Sequence, residues 1–143
     1  MLCRLLRTLR AIRSLYGVTK EKITIEYVLN RISKSSLWTC LSTSNGLSEW
    51  FADTVSNQGN IFTFFWRGHS SEAELISVNP MMSIRFRWLE ESPDTYFEFN
   101  IHHTELTGNH TLEIIDFADL DEIEEAIALW DSQVKILRRK LGV

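Results

Sequence analysis

His102 and His103 are the side chains best suited to proton transfer or metal ligation, and Asp53, Glu98 and Asp116 are the carboxylates available to join them. The two histidines are adjacent in sequence. On a strand, neighbouring side chains point to opposite faces, so this pair does not readily share one metal ion. His103 falls on the concave side of a sheet read this way, where a lone histidine is more often a hydrogen-bonded core residue than a catalyst. No H-x-x-x-H, C-x-x-C or nucleophile-elbow pattern occurs, and no glycine-rich phosphate loop. The sequence predicts no catalytic residue, no metal site and no cofactor.

The aromatic residues suggest a different chemistry. The chain of 143 residues holds five Trp and eight Phe. Each buried aromatic removes roughly 150–250 Å² from water, so a small domain of this composition builds a sizeable core. Trp50, Phe51, Phe65, Phe86, Trp88, Phe97, Phe99 and Trp130, with His103 and Val134 beside them, are candidates to line an apolar pocket. The same residues would serve equally to fill a core, and both readings stand at this point.

Strands must carry most of these side chains. Lys22 to Leu29 alternates in the manner of a first strand. Ser33 is a suitable N-cap for a short helix bearing Leu37, Trp38 and Leu41. Ser44 or Asn45 would cap a second, with Leu47, Trp50 and Phe51 spaced along one face. Asn57 to Asn60 reads as a turn, and strands follow over 61–66, 72–78, 82–89, 96–104 and 111–117. Ile84, Phe86 and Trp88 alternate with Arg85 and Arg87, and Phe97, Phe99 and Ile101 alternate with Glu98, Asn100 and His102. One apolar and one charged face imply an antiparallel sheet covered on one side. Arg85 and Arg87 are expected to face Glu98 on the wet side.

The last segment is the clearest helix. Ile123, Ile127, Trp130, Val134, Leu137 and Leu141 form one stripe. Acids crowd its start and bases its end, both favourable to the helix dipole. Asp119 is expected as N-cap with Glu122 in a capping box, and Gly142 as the stop. A helix of about twenty residues spans roughly 30 Å. It is marginal alone, so its stripe must pack on the apolar face of the sheet.

Charge and composition narrow the partners. The net charge is −4, which argues against general nucleic-acid binding. Residues 1–17 carry four Arg and no acid, and Leu2, Leu5, Leu6, Leu9, Ile12, Leu15 and Tyr16 fall opposite them on a helical wheel. Residues 1–18 therefore read as a basic amphipathic extension to a domain spanning 19–143. Such a segment suits a disposable or mis-assigned extension, with Val18 as the true start, a partner contact or membrane-surface or targeting helix, or a helix packed on the domain. Cys3 and Cys40 make no disulfide framework, which suggests a reducing compartment and a cytoplasmic location. No apolar run reaches the length of a transmembrane helix.

The run Trp38-Thr39-Cys40-Leu41-Ser42-Thr43-Ser44-Asn45-Gly46-Leu47-Ser48-Glu49-Trp50-Phe51 resembles the opening signature of START-like (SRPBCC, helix-grip) domains, in the branch related to activators of heat-shock-protein ATPase. The strands around Tyr96–Phe99 and Leu112–Phe117 and the helix around Leu129–Gln133 resemble the same group, common in Bacteroidetes. Cys40 and Asn45 depart from the broader signature, and its usual turn proline is absent. The resemblance implies an α+β helix-grip fold. In it a curved antiparallel sheet of six strands wraps around the long C-terminal helix, with two short helices between strands 1 and 2. It also implies one of two roles. One is binding of a hydrophobic small molecule or lipid between sheet and helix. The other is a protein-interaction module with a protein partner, using Arg85, Arg87, Glu98 and the basic helix end Arg138, Arg139 and Lys140.

Overall fold

The computed structural model describes residues 20–143. The amphipathic reading of residues 1–17 lies outside the described residues. Strand β1 (Lys20–Val28) leads into two short helices, α1 (Lys34–Ser42) and α2 (Ser44–Leu47). Six strands follow: β2 (Thr54–Gln58), β3 (Ile61–Trp66), β4 (His69–Asn79), β5 (Ser83–Trp88), β6 (Phe97–Thr104) and β7 (Asn109–Asp119). A single 3₁₀ turn, Leu120–Glu122, precedes the long helix α3 (Ile123–Leu141).

The sheet therefore has seven strands, in the order β1-β7-β6-β5-β4-β3-β2, all paired antiparallel. This corrects the expected six. The additional strand is β2, whose sequence TVSNQ is nearly all polar and buries only Val55. An edge strand needs no apolar alternation, so hydrophobic periodicity cannot reveal it. Asn57 and Gln58, expected in a turn, pair with Phe62 and Ile61. The turn itself is the two residues Gly59-Asn60, with Gly59 at φ 58°, a backbone region that glycine enters without steric cost.

Alternation works where one face is buried. Ile84, Phe86 and Trp88 of β5 and Phe97, Phe99 and Ile101 of β6 are all buried. Arg85 pairs with Glu98 as expected, at 2.6 Å. Arg87 does not: the register sets it opposite Glu74 of β4, 3.3 Å away. Arg85 also lies over the Tyr96 ring, 3.9 Å from its centroid, a cation–π contact.

The capping expectations hold in part. Ser33 accepts the Ser36 N–H at the start of α1. For α2 the cap is Thr43 rather than Ser44 or Asn45, and its hydroxyl accepts the Gly46 N–H at 2.9 Å. Asp119 stands before the 3₁₀ turn instead of before α3, and its side chain makes no capping hydrogen bond. Gly142 ends α3 in the left-handed conformation, with Arg138, Arg139 and Lys140 in the last turn.

Helix α3 lies across the concave face. Ala126, Trp130, Val134 and Leu137 are buried, and Ile123, Ile127 and Leu141 are partly so. The register of the stripe matches the expectation, with Ala126 added to its centre. Tyr27 of β1 donates to Asp131 of α3 at 2.7 Å. Burial and this bond to a carboxylate raise the Tyr27 pKa, so it stays a hydrogen-bond donor at any ordinary pH.

Candidate functional site

Phe51 organises the space between sheet and helix. It follows α2, where its N–H still bonds to the Leu47 carbonyl at 2.9 Å, so the chain delivers the ring straight into the sheet's concavity. Its ring centroid lies 5.2 Å from Phe64, 5.6 Å from Trp50 and Phe97, and 5.7 Å from Trp130. Trp66, Trp88 and Phe99 stand at 6.2–6.3 Å. Offset and edge-on ring pairs at such distances are favourable. Seven rings thus surround one, in the region where a ligand was expected.

The candidate lining residues separate accordingly. Phe86, Trp88, Phe97, Phe99, Trp130 and Val134 are buried in this packed core. Phe65 is a correction: it is 40 % exposed, on the opposite face of β3 from Phe64 and Trp66. His103 is a second correction. It keeps the parity of Phe97, Phe99 and Ile101 but sits exposed near the end of β6, with its ring 4.7 Å from His110 of β7. Asp116, an acid–base candidate from the sequence, is buried and accepts the Trp130 indole N–H at 2.9 Å. It anchors helix to sheet. Among the described residues, no three His, Cys, Asp or Glu side chains group as a metal site.

Trp50 and Phe51, buried as they are, also border a groove at the edge of the core. Together with Ser48, Glu49, Ala52 and Asp53 they form one wall of this open groove of about 760 Å³. The other wall is the outer flank of α3: Glu125, Ala128, Leu129, Ser132, Gln133 and Ile136. Trp66 also lines it. None of the α3 residues of this wall belongs to the apolar stripe read from the sequence. They occupy the side of the helix facing the 48–53 segment, and their mixed character hid them. The 48–53 segment is held firmly. The Phe51 carbonyl accepts Gln133 Nε2 at 3.0 Å and Trp66 Nε1 at 3.3 Å. Trp50 Nε1 donates to the Cys40 carbonyl at 2.8 Å, and Ser48 accepts the Val55 N–H at 2.9 Å. A groove with donors already paired and an apolar lining is preformed rather than assembled on binding.

The outer face of the sheet is different. It carries two cross-strand ion pairs, Arg85 with Glu98 and Arg87 with Glu74, and His102 lies within 3.6 Å of Glu113. Asn100 bridges Glu98 and Glu113 at 3.0 Å each.

The sheet gripping a C-terminal helix has counterparts. A START-like superfamily domain matches residues 18–143. The chain belongs to the START-like superfamily. A Bacteroides fragilis protein known from a solution structure is 43 % identical, with a TM-score of 0.63, over 85 % of this chain and 90 % of that one. The Aha1 dimer from Colwellia psychrerythraea superposes with a TM-score of 0.71 at 15 % identity, over 86 % of this chain and 97 % of that one. A Mesorhizobium loti protein gives 0.68 at 18 % identity, over 85 % and 97 %. At these lower identities the likeness shows the fold. A comparison with curated proteins gives no match. In this START-like domain the chain's own aromatics pack together between sheet and helix. No helix among its described residues is long and apolar enough to cross a membrane.

Proposed function

We propose that this START-like domain binds an apolar or amphiphilic small molecule, and that the molecule enters the groove between α3 and the 48–53 segment instead of the space between sheet and helix. START-like folds typically take hydrophobic ligands. The observation that carries the reading is the groove itself: about 760 Å³, lined by Trp66, Trp50 and Phe51. That volume lies within the usual range for small-molecule sites, about 300–1,000 Å³.

The reading is of binding without catalysis. Asp116 is engaged by Trp130 and by the Phe117 N–H, and His102 and His103 sit exposed near the far end of β6. It also favours a small molecule over a protein partner. The charges once suited to such a partner, Arg85, Arg87 and Glu98, pair internally on the outer face.

The test uses N-phenyl-1-naphthylamine, a neutral apolar probe whose fluorescence rises out of water. The full chain should give saturable enhancement. Ala128 is exposed and lines the groove, so Ala128→Trp should obstruct it at no cost to the core and weaken the signal markedly with unchanged melting. Absence of saturable binding, or equal binding by Ala128→Trp, would overturn the reading.

A further inference from the structure

The charged side chains that line the groove are all of one sign. Glu49, Asp53 and Glu125 are acidic, and no Lys, Arg or His lines it. All three are exposed, and none forms an ion pair among the described residues. This contrasts with the outer sheet face, where Arg and Glu side chains neutralise one another across strands. The rest of the lining is apolar or neutral: Trp66, Ala128, Leu129 and Ile136, with Ser132 and Gln133. An apolar trough with an unneutralised negative rim repels carboxylates and phosphates and attracts cations. Glu49 is the weaker of the three in this respect. It and Lys140 both act on the Cys40 thiol, in opposite senses, so a base shares its neighbourhood.

We propose that the groove takes a cationic amphiphile, an apolar chain or ring lying along Trp66, Leu129 and Ile136 with an amine or similar cationic head facing the carboxylates of Asp53 and Glu125. This rests on the groove being the binding site, as inferred above, and adds the charge of the ligand. The acids select the head, and the apolar lining supplies a contact that tolerates many body shapes. Exposed carboxylates contribute selectivity more than affinity, so the preference is modest.

Calorimetric titration of the full chain at pH 7 with decylamine, 1-decanol and decanoate, each below its aggregation concentration, separates the two ideas. The expected order is ammonium over alcohol over carboxylate, with the amine about tenfold tighter than the alcohol. The double variant Asp53→Asn, Glu125→Gln should bring the amine down to the alcohol and leave the alcohol unchanged. Equal binding of the three, a preference for decanoate, or an amine preference that survives the double variant would overturn the charge assignment while leaving the groove as the site. Failure of all three probes would remove the groove reading and this inference with it. A synthetic peptide of residues 1–17, itself basic and amphipathic, is the remaining competitor. If it displaces the neutral probe and decylamine does not, the occupant is that segment, and the small-molecule proposal falls.

Discussion

The Trp130 indole N–H donates to Asp116 Oδ2 at 2.9 Å, and Asp116 Oδ1 accepts the Phe117 N–H at 2.8 Å. One carboxylate, 5 % exposed, thereby ties the middle of α3 to β7. A buried ionisable group is tolerated when donors meet its oxygens, and hydrogen bonds to charged groups contribute about 1.5–3 kcal/mol each. Trp130→Ala loses the ring as well and should cost about 3–5 kcal/mol. Trp130→Phe keeps most of the packing and removes the donor, so it should cost about 1.5–3 kcal/mol. Urea unfolding measures both. A Trp130→Ala protein with an unmoved midpoint would contradict the packing of α3 on its own sheet.

Phe51 is the ring on which the core converges, with seven aromatic neighbours. Its replacement by Ala leaves a void bounded by rigid rings that cannot collapse into it. The loss should lie at or above the upper end of about 3–5 kcal/mol. Phe64→Ala, with fewer ring neighbours, is the comparison. A smaller loss at position 51 than at 64 would contradict Phe51 as the ring on which the core converges.

Gly46 is required by space instead of by backbone angle. A Cβ there would meet the Thr39 carbonyl oxygen at 2.0 Å and Cys40 Cα at 2.7 Å, both backbone. The junction of α1 and α2 must open to admit it, so Gly46→Ala should cost at least about 1–3 kcal/mol. At Gly59 nothing lies within 4 Å of an added Cβ, though φ is +58°. Gly59→Ala should therefore cost only the left-handed penalty, about 1–2 kcal/mol. Thermal melts of the two variants give the order, and the reverse order would count against the close approach at Gly46.

His110 should make stability fall on mild acidification. Burial, the nearby His103 and Lys34, in that order, lower its pKa from the ordinary 6.5. The unfolded chain binds a proton below about pH 6.5 that the folded chain resists, so unfolding is favoured as pH drops from there toward the depressed folded value. Above pH 6.5 the contribution is fully retained. His110→Gln should flatten this part of the stability profile, read by denaturant titrations at a series of pH values. A slope unchanged by the substitution would assign it to other groups.

Legibility in the sequence tracked burial on one side. β5 and β6 could be read because Phe86 and Phe97 alternate with Arg85 and Glu98. The stripe on α3 was readable for the same reason. β2 was not, since a polar edge strand carries no periodic signal. The Arg87 partner was missed because alternation assigns a face and leaves the neighbouring strand open, and β5 has β4 on one side and β6 on the other. Phe65 was misread as a pocket residue because the run Ile61 to Trp66 is apolar at nearly every position. Such a run does not say which residues face inward.

Read by itself, the amino-acid order determined that a one-sided antiparallel sheet must cover a long amphipathic helix ending at Gly142, because polarity repeats at the periods of strand and helix. Whether space remained between them was decided only by the folded chain. An internal volume is the difference between what the walls enclose and what the side chains fill. Here Phe51, carried in by α2 from a distant part of the sequence, takes up part of that volume. The groove arises where two segments some eighty residues apart run side by side, joined by the hydrogen bond from Gln133 to the Phe51 carbonyl, a relation that no local pattern encodes.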